Sequence, residues 1–190
     1  MYLPFPSGSP ECTIEKTDRA HGGRSSVFWY PGLKGLRPTT GKVVQALFNI
    51  LGQDLGGSRF LDLFAGTGKV GLEAHQRGAL VVAVESDRRR STLLSRMAPP
   101  EGFQVRPLDV RRALPMMVQA GETYDVVFAD PPYHLGWVKQ FLELWEVSSS
   151  LLAPGGCMIL EHSKRESIPS SWEKPYETRV YGETLLTLFR

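Results

Sequence analysis

Short apolar runs alternate along this chain with segments whose apolar residues recur every three or four positions. The runs Arg59-Phe60-Leu61, Leu80–Val84, Phe103–Arg106, Tyr124–Ala129 and Gly156–Leu160 are rich in β-branched and aromatic residues and read as buried strands. Between them lie helical stretches. One follows from Leu72 and stops at Gly78, and a basic one from about Asp87 to Met97 ends at Pro99-Pro100. Arg111 to Gln119 is helical despite Pro115, and Leu135 to about Ser148 forms another. Ahead of the first strand, Val43, Val44, Leu47, Phe48, Ile50 and Leu51 mark a helix that Thr39 or Thr40 can cap, and Gln53 to Ser58 is a linker. Thr178 to Phe189 reads as two strands, or one bent around Gly182. Strands alternating with helices imply a parallel sheet covered on both faces, with ligands at the carboxyl ends of its strands. Asp62, Glu85, Asp109 and Asp130 all fall at such ends.

The first 36 residues break this pattern. A Pro- and Ser-containing tail precedes a turn-rich stretch in which Val27-Phe28-Trp29-Tyr30 reads as a strand of a small hairpin. The rest, 37–190, is one domain of ordinary composition, 42% hydrophobic and 22% charged over the chain. The formal net charge of +2 is unevenly spread. Residues 59–190 balance, whereas from Lys16 to Lys42 six basic side chains face Asp18 alone, an excess of five in 27 residues. Such a patch suits a phosphate-rich substrate, and Arg24, Lys34 and Arg37 are its candidate contacts. No apolar run approaches the roughly 20 residues of a membrane span, and no leader pattern is evident, so a cytoplasmic protein is expected. Cys12 and Cys157 are far apart and read as reduced thiols; no metal-ligand spacing is present.

The stretch with most chemical content is Asp62-Leu-Phe-Ala-Gly66-Thr-Gly68-Lys-Val-Gly71, a strand, glycine turn and helix start. Glycines there bring backbone close to a ligand, and the helix N-terminus offers unpaired N–H groups. The spacing Gly66, Gly68, Gly71 with Glu85 further on formally fits a dinucleotide fingerprint. A P-loop is excluded, since Val70 replaces the magnesium-holding hydroxyl and Leu63 the leading glycine. Asp62 shifts the balance to S-adenosylmethionine. A carboxylate there repels a pyrophosphate but attracts the cationic amino-acid end of the methyl donor. NAD-type cofactors and a plain structural turn stay open at this point.

Asp130-Pro131-Pro132-Tyr133 supplies the second half of the chemistry. An exocyclic base amine is a poor nucleophile because its lone pair is delocalised into the ring. The Asp130 carboxylate and the Pro131 carbonyl can accept its two hydrogens and aim the nitrogen at a methyl group. The prolines stiffen the turn without competing N–H groups, and Tyr133 can stack on the base. Catalysis of this kind is mostly positioning.

These elements together resemble the bacterial 16S rRNA (guanine-N2)-methyltransferases of the RsmD type. The resemblance runs from about Gly35 onward through Arg37-Pro-Thr-Thr40, Ala46–Leu51, Asp62–Gly68, Gly71–Ala74, Asp130–Tyr133 and Tyr181-Gly-Glu-Thr184. It implies a Rossmann-like class I methyltransferase, α/β, with a mainly parallel seven-stranded sheet and a small N-terminal β-hairpin extension. S-adenosylmethionine would be the donor, and 16S rRNA of the 30S subunit or its precursor the acceptor, acted on by a monomer. Asp62, Phe64, Gly66 and Gly68 would then cradle the methionine end, with Thr39 and Thr40 over the pocket. Glu85 would take the ribose hydroxyls and Asp109 the adenine amine, while Asp130 to Tyr133 would hold the guanine. Competing readings are an amino-methyltransferase for another RNA, DNA or a protein glutamine, and a non-catalytic cofactor-binding assembly factor.

Overall fold

A computed structural model of the chain describes residues 41–133 and 136–190. The expected hairpin, together with Arg24, Lys34, Arg37, Thr39 and Thr40, lies outside the described residues, as does His134. The helix before the first strand, α1, spans Gly41–Leu51 and buries Val43, Val44, Leu47, Phe48, Ile50 and Leu51 on one face. Then β1 (Arg59–Leu63), α2 (Lys69–Gln76), β2 (Leu80–Val84), α3 (Arg88–Met97) and β3 (Phe103–Arg106) follow. They are succeeded by α4 (Val110–Gln119), β4 (Tyr124–Ala129), α5 (Trp137–Ser148), β5 (Leu152–Ser163), β6 (Tyr176–Tyr181) and β7 (Thr184–Phe189).

All seven strands form one sheet in the order β3-β2-β1-β4-β5-β7-β6. The first five are parallel, and β7 and β6 run antiparallel to their neighbours. Side chains alternate across the strands, so one face of the sheet carries Phe60, Val81, Val126, Phe128 and Ile159 against α1 and α2. The opposite face carries Leu61, Leu63, Val127, Met158 and Leu160 against α4 and α5. Leu94 of α3 packs with Ala65 and Ala83.

Helix starts follow their local chemistry. Asp87 caps α3 by accepting the N–H groups of Arg89 and Arg90, at 3.0 and 2.8 Å, and Asp109 caps α4 through the Arg111 N–H at 2.9 Å. Pro115 removes a hydrogen bond inside α4, a cost of about 3 kcal/mol. Burial of Leu114 and Met117, each contributing about 1.5–3 kcal/mol, with Val110 and Ala113 beside them, offsets it. The fifth strand is longer than its apolar run, reaching three residues past Leu160 to Ser163. Those residues are polar yet buried, because β7 pairs along them from Glu161↔Leu186 to Ser163↔Thr184. Cys157 is a free, buried thiol. Among the described residues no helix is long and apolar enough to cross a membrane, and no group of His, Cys, Asp and Glu could hold a metal ion.

Candidate active site

The registers of four adjacent strands converge on one row. Val84, Leu63, Ala129 and Leu160 are mutual partners across β2, β1, β4 and β5. The residues immediately beyond them are Glu85, Phe64, Asp130 and Glu161. Two positions before Phe64 stands Asp62, which faces α2 through the Gly71 N–H, whereas the Phe64 ring packs on the α4 and α5 side. Four carboxylates, Asp62, Glu85, Asp130 and Glu161, therefore collect along the carboxyl edge of the sheet. Phe64 ends the first strand with φ of 64°, a left-handed conformation unusual for a phenylalanine, and so turns the chain into the glycine loop. Its ring is held edge-on to Trp137 at 5.3 Å and to Phe141 at 6.1 Å.

The two acids nearest the loop are bonded to its backbone. Glu85 accepts the Gly66 N–H at 2.8 Å with one oxygen, and the Asp87 N–H and the Arg90 guanidinium with the other, at 2.7 and 2.9 Å. Asp62 accepts the Gly71 N–H at 2.9 Å. A Cβ on Gly71 would lie 3.1 Å from that carboxylate and 3.2 Å from Phe103 and Val81, so glycine lets the helix sit tight on the sheet. Gly68 has φ of 76°, and a Cβ there would lie 2.2 Å from Leu94. Burial raises the Asp62 carboxyl to about 7, against the lowering effect of the Gly71 N–H and with added repulsion from Glu85. A cationic ligand group would relieve that strain. The N-terminus of α2 beside it suits a carboxylate, so this end fits the zwitterionic amino-acid part of S-adenosylmethionine.

The other end of the row is built from side chains. Asp130 follows β4 directly, Pro131 is buried and Pro132 exposed. The Tyr133 hydroxyl donates to Glu161 Oε1 at 2.9 Å and is also hydrogen-bonded by Thr184 at the start of β7. Burial, with Glu161 and Asp130 nearby, holds the phenol well above its ordinary pKa, so it stays protonated. At Lys69, the first residue of α2, desolvation pulls the ammonium below the usual lysine range, while the charges of Glu161 and Glu73 oppose the shift.

The sequence-derived residues Asp62, Phe64, Gly66, Gly68, Glu85 and Asp130 to Tyr133 thus share one edge of the sheet. Asp109 stands further along, past β3, and its carboxylate is clamped by Arg111 at 2.9 and 2.8 Å, an ion pair that lowers its pKa. Arg111 also lies over the Trp137 ring at 5.3 Å. Of the arginine triplet, Arg90 turns inward to Glu85 while Arg88 and Arg89 are exposed. His162 is buried, with its Nε2 at 2.8 Å from Thr187, a packing role. Two site residues escaped the motif reading. Glu161 follows an apolar run in the same way as Asp130, which is the signal that marks it, and Lys69 sits inside the glycine stretch itself.

Fold and site together define a class I S-adenosylmethionine-dependent methyltransferase. The family described as Conserved hypothetical protein 95 matches residues 23–190. Ribosomal RNA small subunit methyltransferase D of Escherichia coli strain K12 is 31% identical over 165 residues, 84% of this chain and 82% of that protein. The Haemophilus influenzae protein of the same name is 31% identical over 150 residues, 73% of this chain and 75% of its own length. A hypothetical protein of Thermus thermophilus, of known structure, superposes with a TM-score of 0.73 at 34% identity, covering 89% of this chain and 96% of that one. This chain belongs to the ribosomal RNA small subunit methyltransferase D family.

Proposed function

We propose that the chain methylates the exocyclic N2 amino group of a guanine in 16S rRNA, acting as a cytoplasmic monomer on the 30S subunit or an assembly intermediate. The observation that carries the reaction is the placement of Asp130 to Tyr133 in the same strand-end row as the Asp62–Glu85 cradle. S-adenosylmethionine, when bound, supplies an electrophilic methyl group. Asp62 and the N-terminus of α2 would anchor its amino-acid end, and Glu85, already engaged by the loop, would meet its ribose. Asp130 and the Pro131 carbonyl would accept the two amine hydrogens, aiming the guanine nitrogen along the line of transfer. Tyr133 would support the flat face of the base. Holding two reactants in attack geometry can contribute about 7–11 kcal/mol at best, which is the scale a site without nucleophile or metal needs. The amine proton leaves to water. The names of the relatives support ribosomal RNA as the acceptor. Arg24, Lys34 and Arg37 would bind its phosphates, so neutralising them should flatten the salt dependence of binding.

The test is to incubate the protein with labelled S-adenosylmethionine and either unmodified 30S particles or naked 16S rRNA, then identify the labelled nucleoside. N2-methylguanosine is expected. Another methylated nucleoside would keep the mechanism and replace the target. Absence of label despite cofactor binding would favour a protein or DNA acceptor, or a non-catalytic role.

A further inference from the structure

Cofactor handling does not explain Glu161. It stands on β5, two strands away from the glycine loop that follows β1, and is 3% exposed. Burying a carboxylate costs several kcal/mol unless hydrogen bonds and a cation compensate, and Asp130 one strand away adds repulsion. The compensation here comes from Tyr133, whose hydroxyl donates at 2.9 Å, and from the charge of Lys69. Thr184 reaches the same phenol from β7. A ring that served a base through its face alone would need no such anchor, and phenylalanine would do as well. The phenol's two partners, on strands β5 and β7, fix both the tilt and the rotation of a side chain that otherwise stands on a turn between two elements.

We propose that Glu161 is a positioning residue for methyl transfer. It grips the Tyr133 phenol, so that the ring face and the Asp130–Pro131 acceptors keep one fixed relation as the base enters. The proposal rests on Asp130 to Tyr133 being the acceptor site. It makes the carboxylate and the phenol act as one unit, since losing either leaves the ring without its anchor on β5 and, at most, the Thr184 contact to hold it.

The experiment is a double-mutant cycle on single-turnover methyl transfer from labelled S-adenosylmethionine to whichever of the unmodified 30S particles or naked 16S rRNA the wild-type protein labels, using Tyr133→Phe, Glu161→Leu, their combination, and Glu161→Gln. Cofactor affinity by calorimetry and the thermal midpoint are measured for each. Each single change should slow transfer about tenfold, and the combination no further than the slower single, with S-adenosylmethionine affinity held within about twofold. Glu161→Gln, which keeps an acceptor oxygen for the phenol, should recover most of the lost rate. Additive losses near a hundredfold overturn the proposal, as does Glu161→Gln proving as slow as Glu161→Leu. So does a wild-type rate for Tyr133→Phe. A wild-type protein that labels no nucleoside overturns the functional reading, and this proposal with it; a labelling enzyme with an additive cycle overturns the proposal alone.

Discussion

The two ends of the carboxylate row are built differently. At the cofactor end, Asp62 and Glu85 are buried and accept backbone N–H groups, Gly71 on Asp62 and Gly66 and Asp87 on Glu85, with the Arg90 guanidinium added on Glu85. At the acceptor end Asp130 and Tyr133 are half-buried, and the bond that organises them runs from side chain to side chain, Tyr133 to Glu161. The first arrangement makes the acids part of the turn's own architecture, so a change there reaches folding as well as binding. The second leaves the backbone intact when a side chain is altered, so its changes should be read in the chemistry.

Asp130→Ala offers the largest test of that contrast. Turnover should fall about a thousandfold, roughly 4 kcal/mol of barrier, while the thermal midpoint and cofactor affinity stay near wild type. A loss of cofactor binding in this variant would erase the division between the ends. Gly68→Ala strikes the other end: a Cβ at φ of 76°, 2.2 Å from Leu94, should cost about 1–3 kcal/mol of stability and weaken cofactor binding. Thermal unfolding with and without S-adenosylmethionine measures both, and an unchanged midpoint would show that the loop yields easily.

A subtler effect belongs to Asp62. Its folded-state pKa, about 7, exceeds the ordinary value of 3.8, so the native state holds this proton more tightly than the unfolded chain. The stabilisation it gives is complete below about pH 4 and is lost as pH rises toward 7. Ligand binding has the opposite dependence: an ammonium group prefers the ionised carboxylate, so cofactor affinity should climb up to tenfold per unit between about pH 5.5 and 7. Asp62→Asn should flatten both profiles, which denaturant titrations and calorimetry across that range would reveal. Smallest of all is Arg111→Ala, which releases the half-buried Asp109 carboxylate. The midpoint should not move, and cofactor affinity should rise by no more than about threefold.

Much of this was legible from residue order. Apolar runs mark β1 to β5 because parallel strands buried on both faces need them, and the glycine turn with four acids at strand ends locates the edge that matters. What escaped depends on neighbours distant in sequence. Glu161, His162 and Ser163 look like the polar exit from a strand, and only pairing with β7 buries them. The partners of the Tyr133 hydroxyl lie 28 and 51 residues further on, where no local spacing announces them. Lys69 carries no signal of its own inside the glycine stretch, and its tie to Glu161 spans 92 residues of sequence. The Tyr181-Gly-Glu-Thr184 signature also acquires a physical reason: β7 runs against β5, so its first residue rather than its last arrives at the site.

The order of assembly follows from that same reversal. Of the two antiparallel strands β6 is made first, yet β7 lies between it and β5. Without β7, β6 has no partner and β5 presents an unpaired edge at Met158, Ile159 and Leu160, which Thr184 to Phe189 close. Such an edge is a template for pairing with other chains. Any form of the protein in which β7 is unpaired also lacks the Thr184 contact to the Tyr133 phenol, so closing that edge and completing the acceptor end are one event.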